Sequence, residues 1–333
     1  MKLSLDMSPA TLGQYLKEKR WVASYDETVK IEKPGEGNMN LVLRATTQRR
    51  SLILKQANPF VQKYPSIAAP VERAEAEAAF YGLGLHRASI ARFLPKFIGI
   101  DAENHILAIE DLGECSDFTF MYKKRMAIKA TTVGAATDFL STLHRTGFLA
   151  DKKADFPQNI ALRQLNAEHL FRYPFLLENG FDLDSIQPGL QRISLKYKTD
   201  EALKTEAGLL SAHYLSPGNS LLHGDFYPGS WLGSGEQFWV IDPEFSFFGP
   251  PEYDFGVFIA HLLMAQTPPK PIATVFRTYK KPKGFRPALA AQFAGIELLR
   301  RIIGLAQLPL DLTLEERAAL LEKGADLVKN GTF

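Results

Sequence analysis

The sequence is poor in cysteine and has no marked excess of charge of either sign. Cys115 is the only cysteine among 333 residues, so no intramolecular disulfide can form and a cysteine-rich zinc site is excluded. Cys115 has no basic neighbour in sequence to lower its pKa, and we expect an inert thiol. Lys plus Arg number 39 and Asp plus Glu 37, for a net charge of +2. This balance gives no electrostatic reason to expect a nucleic acid or an acidic membrane as partner.

Long apolar runs are also missing. Nowhere do about 18 apolar residues follow one another, as a membrane-spanning helix would need. The first nine residues include Asp6 and lack the apolar core of a signal peptide. The sequence therefore predicts a protein that is neither secreted nor membrane-spanning, and the single cysteine favours a reducing cytoplasm. The length allows two domains or one bilobal unit, and a homodimer stays open.

The first third of the chain is rich in short β-like runs. Five of them predict an antiparallel sheet, at 29–33, 39–46, 51–55, 93–100 and 105–110. A helix is predicted at 71–83, and another begins after Ser8, with Leu12, Tyr15 and Leu16 facing inward. Residues 59–70, bounded by prolines, are predicted as a loop.

After residue 110 the patterns become helical. Asp111-Leu112-Gly113 is typical of a hinge. Helices are predicted at 131–149, within 157–214, and at about 254–265, 286–307 and 313–328. The fold class is therefore α+β and bilobal, with a β-rich lobe at 1–112 and a mainly helical lobe at 113–333.

The turn between the first two strands is rich in glycine. Gly35 and Gly37 would let the backbone approach a bound group, and amides freed by the turn can point at phosphate oxygens. Asn38 and Asn40 add polar side chains at the same edge. A plain β-turn is the alternative, since a short G-x-G is weak evidence by itself.

Lys55 ends an otherwise apolar strand, where a buried ammonium group would need an anionic partner. Glu77 on the following helix is the candidate. Together they would form an ion pair able to hold phosphates. The alternative is that Lys55 extends to water and Glu77 is solvated.

Three acids follow apolar runs between residues 221 and 254. Asp225, in His223-Gly224-Asp225, could accept the proton of an attacking hydroxyl, while His223 would pack beneath the loop. Asp242 and Glu244 are two residues apart at a strand end, so both could reach one Mg²⁺ ion. Asp254 is predicted to cap a helix.

These motifs, taken in order, carry a family resemblance. His-Gly-Asp, Ile-Asp-Pro-Glu and Tyr-Asp-Phe-Gly resemble the aminoglycoside phosphotransferase and choline kinase superfamily, whose fold is that of a protein kinase. The narrower likeness is to the 5-methylthioribose kinases. It rests on the segments 35–42, 54–57, 110–112, 242–250 and 300–306.

The resemblance implies an ATP- and Mg²⁺-dependent kinase acting on a hydroxyl of methylthioribose or a related sugar. It makes 1–112 the nucleotide-binding lobe and 113–333 the catalytic and acceptor-binding lobe. Asp225 would be the catalytic base. The resemblance also implies roles for three further groups of residues. These are Asn38, Lys55, Glu77, Ile109, Glu110 and Asp111 for the nucleotide, beside Gly35, Gly37 and Asn40 of the turn; Asp242, Glu244 and Ser230 for the metal; and Asp225, Arg300 and Arg301 for the acceptor, whose side Phe226 and Tyr227 would also line.

Several alternatives stay open. Arg300 and Arg301 would favour a neutral or anionic acceptor, but the helix pattern alone favours a salt bridge with Glu297 or another surface acid. Phe226 and Tyr227 belong to a segment that departs from the methylthioribose kinase pattern. An aminoglycoside or choline-like alcohol is therefore an alternative acceptor, and a non-catalytic kinase fold that binds nucleotide is a further alternative.

Overall fold

The computed structural model describes residues 1–35, 37–124, 126–146, 153 and 155–333. The chain divides into two compact units. The first comprises residues 1–115, 155–162 and 239–246, and the second comprises 116–154, 163–238 and 247–333. The assignment of nucleotide binding and catalysis to separate lobes, divided at residue 112, stays a prediction.

In the described part of the chain, helices α1 to α11 span Pro9–Glu18, Arg73–Leu85, Ala88–Ala91, Ala130–Arg145, Ile160–Ala167, Leu190–Lys198, Glu201–Leu215, Glu252–Met264, Pro269–Thr278, Pro287–Ile303 and Leu314–Asn330. Strands β1 to β12 span Thr28–Glu32, Leu41–Thr47, Ser51–Gln56, Phe60–Val61, Tyr64–Ala68, Phe97–Asp101, Ile106–Glu110, Ser116–Asp117, Ser220–Leu222, Trp231–Ser234, Gln237–Val240 and Phe247–Gly249.

The first unit contains the predicted five-stranded antiparallel sheet. The strand order is β1-β2-β3-β7-β6, and every neighbouring pair runs antiparallel. Helix α1 packs on one face, because Leu12 and Leu16 join a buried cluster with Leu43 and Leu54 from the sheet. Ser8 caps this helix, its hydroxyl accepting the amide of Thr11 at 3.1 Å. Both predictions for this region are confirmed.

Two segments of the first unit differ from their predictions, and both contain a proline. The predicted strand at 93–100 begins only at Phe97, because Pro95 cannot donate to a sheet. The predicted loop at 59–70 contains the two-stranded hairpin β4–β5. Pro65 lies within β5, where a two-stranded ribbon leaves one edge free of hydrogen-bonding demands.

The second unit is built around α8, α10 and α11. Every residue of α8 except Leu263 is buried. The helices cross closely where glycines remove the side chain. A methyl group on Gly256 would lie 2.6 Å from the Ala290 carbonyl oxygen, and one on Gly295 would lie 2.4 Å from that of Gly324. The close packing of these helices therefore depends on the glycines.

Most helix predictions for the second unit are confirmed. Helix α10 ends at Ile303, before the predicted residue 307, because Gly304 follows in an extended conformation. Helix α9 was not predicted; it begins at Pro269, and the first turn of a helix tolerates proline. Of the helix predicted at 131–149, residues 147–149 lie outside the described residues. No helix in the described ranges is long and apolar enough to span a membrane.

Candidate active site

The His-Gly-Asp loop of the second unit follows strand β9 and is held from beneath by Asp254. The two carboxylate oxygens of Asp254 accept the amides of His223, at 2.7 Å, and Gly224, at 3.0 Å. Gly224 has φ +85°, which favours glycine. The prediction that Asp254 caps a helix is wrong, because α8 begins at Glu252 with no side-chain cap. Its buried carboxylate fixes the loop that carries Asp225.

Three other residues of this loop lie in the interior. His223 is buried and accepts the Asp225 amide at 3.3 Å, as predicted for a packing residue. Phe226 was predicted to line the acceptor side, but its ring is fully buried and stacks on Phe139, with centroids 5.4 Å apart. Ser230 was predicted as a metal ligand. It is buried, and its hydroxyl donates to the Asp225 carbonyl oxygen at 3.1 Å.

Asp225 is engaged by both arginines of α10. Nη2 of Arg300 donates to Oδ1 of Asp225 at 3.2 Å, and Nη2 of Arg301 donates to the same oxygen at 3.1 Å. The Asp225 side chain keeps 24% of its surface exposed. Tyr227 packs beside this group, with the Arg301 guanidinium 4.9 Å from its ring centroid.

Glu297 holds the two arginines from the buried side. Its carboxylate accepts a hydrogen bond from Nε of Arg300 at 2.5 Å and another from Nε of Arg301 at 2.7 Å. The salt bridge to Glu297 that the sequence left open is therefore present for both arginines. Burial alone would raise the pKa of Glu297, but the two guanidinium groups hold that pKa well below its usual range.

His261 completes this group, although no motif drew attention to it. Its Nε2 lies 2.9 Å from Glu297, and its Nδ1 lies 2.7 Å from the Tyr122 hydroxyl. Burial lowers the pKa of His261 to about 4, against the opposing effect of Glu297. The imidazole is therefore neutral at pH 7.

The first unit holds the predicted ion pair. Nζ of Lys55 lies 2.5 Å from Glu77 and 2.7 Å from Oδ1 of Asp242. Burial would lower the pKa of Lys55, but Asp242 and Glu77 together raise it well above its ordinary value. Lys55 and Glu77 are both buried, whereas the Asp242 side chain is 44% exposed. The alternative of a solvated lysine is excluded.

Asp242 does not lie on a strand, contrary to the reasoning that paired it with Glu244. Strand β11 ends at Val240, and Asp242 adopts a left-handed conformation with φ 63°. Its amide donates to the Tyr81 hydroxyl at 3.3 Å. A non-glycine residue in this region is strained, and such strain concentrates at functional sites.

Glu244 is buried and bonded within the protein. Its Oε2 accepts Nδ2 of Asn40 at 2.9 Å and lies 3.3 Å from Nε of Arg73. Nδ2 of Asn159 donates to its carbonyl oxygen at 2.7 Å. Burial raises the pKa of Glu244 to about 8, although Lys55 and Arg73 oppose this. One oxygen of the predicted metal ligand is thus used by protein donors.

The glycine-rich turn is described except for Glu36. Gly35 and Asn38 are exposed, and Gly37 is partly buried. A methyl group on Gly37 would lie 2.3 Å from the Asn40 carbonyl oxygen, so the tight turn requires glycine there. Asn40 is buried with its amide directed to Glu244, not to the exposed edge.

The remaining predicted nucleotide contacts lie at the end of strand β7 and directly after it. Ile109 is buried in β7, and Glu110 ends this strand. Nε of Arg44 lies 2.7 Å from the Asp111 carboxylate.

Burial raises the pKa of the Cys115 thiol, which agrees with an inert cysteine.

A magnesium ion fits the donors of the first unit if phosphate and water complete its shell. Within the described ranges, no group of three or more His, Cys, Asp or Glu side chains could hold a metal ion. Mg²⁺ is usually bound by one or two carboxylates together with phosphate oxygens and waters, not by a full protein cage. Asp242 and Glu244 fit that pattern, and the exposed Asp242 is the more available ligand.

Sequence reasoning missed four residues of these groups. Arg73, Asn159, His261 and Tyr122 belong to none of the motifs. The only available signal was the helical spacing between Arg73 and Glu77. The partners of the others are distant in the sequence, and Tyr122 and His261 are 139 positions apart.

Comparison with known proteins places this geometry in a family. The model of the phosphotransferase enzyme family matches residues 30–291. The chain is 31% identical to the methylthioribose kinase of Exiguobacterium sibiricum, over 92% of this chain and 90% of that one. It is 28% identical to the methylthioribose kinase of a Geobacillus species, over 82% and 77%.

Two solved structures show the same fold. A spectinomycin phosphotransferase bound to AMP aligns with a TM-score of 0.57 at 12% identity, over 97% of this chain and 99% of that one. The choline kinase LicA of Streptococcus pneumoniae aligns with a TM-score of 0.50 at 16% identity, over 96% and 99%.

The protein is therefore a kinase of small molecules, with an alcohol group as acceptor and a protein-kinase-like fold. The chain belongs to the phosphotransferase enzyme family, and methylthioribose kinases are among its relatives. The family resemblance inferred from the motifs is confirmed.

Proposed function

We propose that this protein is an ATP- and Mg²⁺-dependent kinase that phosphorylates a hydroxyl of methylthioribose or a related neutral sugar. The observation that carries the proposal is the charge balance around Asp225. Asp225 and Glu297 offset the charges of Arg300 and Arg301, and His261 is neutral at pH 7. A balanced group suits a neutral polyol.

The same balance disfavours cationic acceptors. Choline or an aminoglycoside would need uncompensated acids or an open aromatic cage around its charge. At Asp225, two guanidinium groups occupy the position that a cationic substrate would seek. The methylthioribose kinases among the relatives support the same choice of acceptor.

Asp225 would receive the proton of the acceptor hydroxyl. The hydroxyl oxygen attacks the γ-phosphorus of ATP, the bond from that phosphorus to the oxygen shared with the β-phosphate breaks, and ADP leaves. The proton passes to the carboxylate of Asp225, whose Oδ2 is not the oxygen bonded by the arginines.

Lys55 would bind ATP phosphates, with Glu77 fixing its ammonium group. Asp242 would hold Mg²⁺ with help from Glu244, and the ion would supply charge neutralisation on the phosphates. The proposal also includes backbone contacts to the nucleotide from the glycine-rich turn and residues 109–111. A metal contact from Ser230, a cytoplasmic location and a homodimer remain further predictions.

A screen of ATP consumption tests the acceptor. Purified protein is given ATP and Mg²⁺ with methylthioribose, ribose, choline or an aminoglycoside, and ADP is measured. We expect turnover with methylthioribose or another neutral sugar and none with the cations. Turnover with choline or the aminoglycoside alone would overturn the proposed acceptor class.

A further inference from the structure

The second unit contains a buried hydrogen-bonded group whose two arginines contact Asp225. It consists of Glu297, Arg300 and Arg301 on α10, His261 on α8, and Tyr122. Glu297, Arg300 and Arg301 have the spacing i, i+3 and i+4, so they share one face of the helix. Glu297 and His261 are buried.

The two arginines are directed to one carboxylate oxygen of Asp225. Each donates from Nη2 to Oδ1, at 3.2 and 3.1 Å. In the described part of the chain, the side-chain hydrogen bonds of Asp225 all fall on this oxygen. Oδ2 is therefore the oxygen available to an acceptor hydroxyl.

Glu297 fixes the plane of each guanidinium group. Arg300 donates to it twice, from Nε to Oε2 at 2.5 Å and from Nη2 to Oε1 at 3.1 Å. Arg301 donates from Nε to Oε1 at 2.7 Å. With Nε held by Glu297, the orientation of each planar guanidinium group is fixed, and its Nη2 reaches Asp225.

His261 holds Glu297 in turn, and its partners define the tautomer. The Glu297 carboxylate can only accept, so Nε2 of His261 carries the proton and donates at 2.9 Å. Nδ1 then accepts the hydroxyl of Tyr122 at 2.7 Å. This chain fixes Oε1 of Glu297, the same oxygen that binds Nε of Arg301.

We propose that Glu297 and His261 are positioning residues for Asp225. They orient Arg300 and Arg301 onto Oδ1 and thereby reserve Oδ2 for the acceptor hydroxyl. This proposal rests on the proposed function for the role of Asp225. In this proposal the buried group aligns the acceptor and takes no part in binding the nucleotide.

The main test compares two substitutions of His261. His261→Gln can keep an N–H donor toward Glu297, whereas His261→Leu cannot. We expect His261→Leu to lower kcat about 10- to 100-fold, as a misaligned reacting group does, with the KM for ATP unchanged. His261→Gln should keep most of the wild-type kcat. Equal losses in both variants, or an unchanged kcat in His261→Leu, would overturn the proposal.

Glu297→Gln is a second variant, with Glu252→Gln as its matched control. Glu252 is also a buried glutamate of the second unit, and it accepts the amide of Arg286 at 2.7 Å. We expect kcat to fall about 100-fold in Glu297→Gln and to stay at the wild-type value in Glu252→Gln. A matching loss of kcat in the control would show a general packing effect and contradict the proposal.

A spectroscopic measurement is independent of the acceptor. The Nε–H signals of Arg300 and Arg301, assigned with Arg300→Lys and Arg301→Lys, should exchange slowly with solvent in the ¹⁵N-labelled wild type. We expect faster exchange in His261→Leu for Arg301 and wild-type exchange in Glu252→Gln. If the acceptor screen fails but this pattern appears, only the proposed function falls. Unchanged arginine signals in His261→Leu would overturn the positioning role itself.

Discussion

Each unit contains a partly exposed aspartate that contacts basic side chains. In each unit a buried glutamate binds those basic side chains in turn. In the first unit, Glu77 fixes Lys55, which contacts Asp242. In the second, Glu297 fixes two arginines, which contact Asp225. Both glutamates are about equally inaccessible, with 1% of their surface exposed.

The two glutamates differ in the number of side chains that donate hydrogen bonds to them: Lys55 donates to Glu77, whereas Arg300, Arg301 and His261 donate to Glu297. Burial raises the pKa of Glu77, and the nearby Asp242 carboxylate adds to this, so that Lys55 and Arg73 do not offset the loss of solvent. The pKa of Glu297 is held well below its usual range, because two guanidinium groups and His261 more than offset burial. The comparison shows that the pKa of a buried carboxylate can be raised or lowered according to the charges that surround it.

The largest expected effect separates the two aspartates by function. Asp225→Ala should lower kcat about 10²- to 10⁴-fold, since it removes the group that receives the acceptor proton. ATP binding, measured by calorimetry, should remain nearly intact. Asp242→Ala should instead weaken binding of Mg²⁺ and ATP together. The assignment fails if Asp225→Ala keeps wild-type turnover or if Asp242→Ala binds Mg²⁺–ATP normally.

The stabilities of the two glutamate variants should also differ. Glu297→Gln leaves two buried guanidinium groups undercompensated, and we expect it to cost about 3–5 kcal/mol in the free energy of unfolding. Glu77→Gln should cost about 1–3 kcal/mol, because Lys55 keeps Asp242 as an anionic partner. Urea denaturation measures both values. A larger loss for Glu77→Gln would contradict the comparison.

Acid should weaken the second group through His261. The folded protein lowers the pKa of this residue from 6.5 to about 4, so the unfolded chain binds its proton more readily. Stability is therefore lost as the pH falls below 6.5, by about 2 kcal/mol at pH 5 from this residue. The groups facing His261 include Glu297, Arg301 and Tyr122.

His261→Gln has no imidazole to protonate and should lack this part of the acid sensitivity. Urea denaturation at pH 7 and pH 5 compares it with the wild type. Parallel losses of stability in the two proteins between these pH values would rule out His261 as the source.

The smallest expected effect concerns the shape of the cation. Arg301→Lys keeps the positive charge but cannot bond Glu297 and Asp225 with one planar fork. We expect kcat/KM for the acceptor to fall about tenfold, which corresponds to one lost hydrogen bond to a charged group. Affinity for ATP should not change. Full activity of the lysine variant would show that charge alone is sufficient at this position.

The sequence predicted the sheet and the motif residues because those depend on local patterns. Alternating apolar runs give the five strands, and a lysine that ends a buried strand requires an anion such as Glu77. The course of the chain at Asp242 was beyond such reasoning, because a left-handed residue after a strand has no pattern of period two. The inward direction of Phe226 depends on aromatic partners from other helices.

The positioning roles of His261 and Glu297 could not be predicted from the sequence for a related reason. His261 looks like any residue of an apolar helix, and only the fold brings its two nitrogens to Glu297 and Tyr122. The salt bridge to Glu297 could be suggested from helical spacing. That both arginines would also meet on one oxygen of Asp225 required the structure.

Arg73 has a practical consequence for mutational surveys of this enzyme. Its guanidinium group is fully buried and donates to the carbonyl oxygens of Met39 and Asn58 and to the side chain of Asn40, beside Glu244. A survey scored by growth or turnover would rank Arg73 with the substrate-binding residues, although solvent does not reach it. A parallel survey scored by protein abundance would separate it from them, since its loss removes bonds between distant parts of the chain.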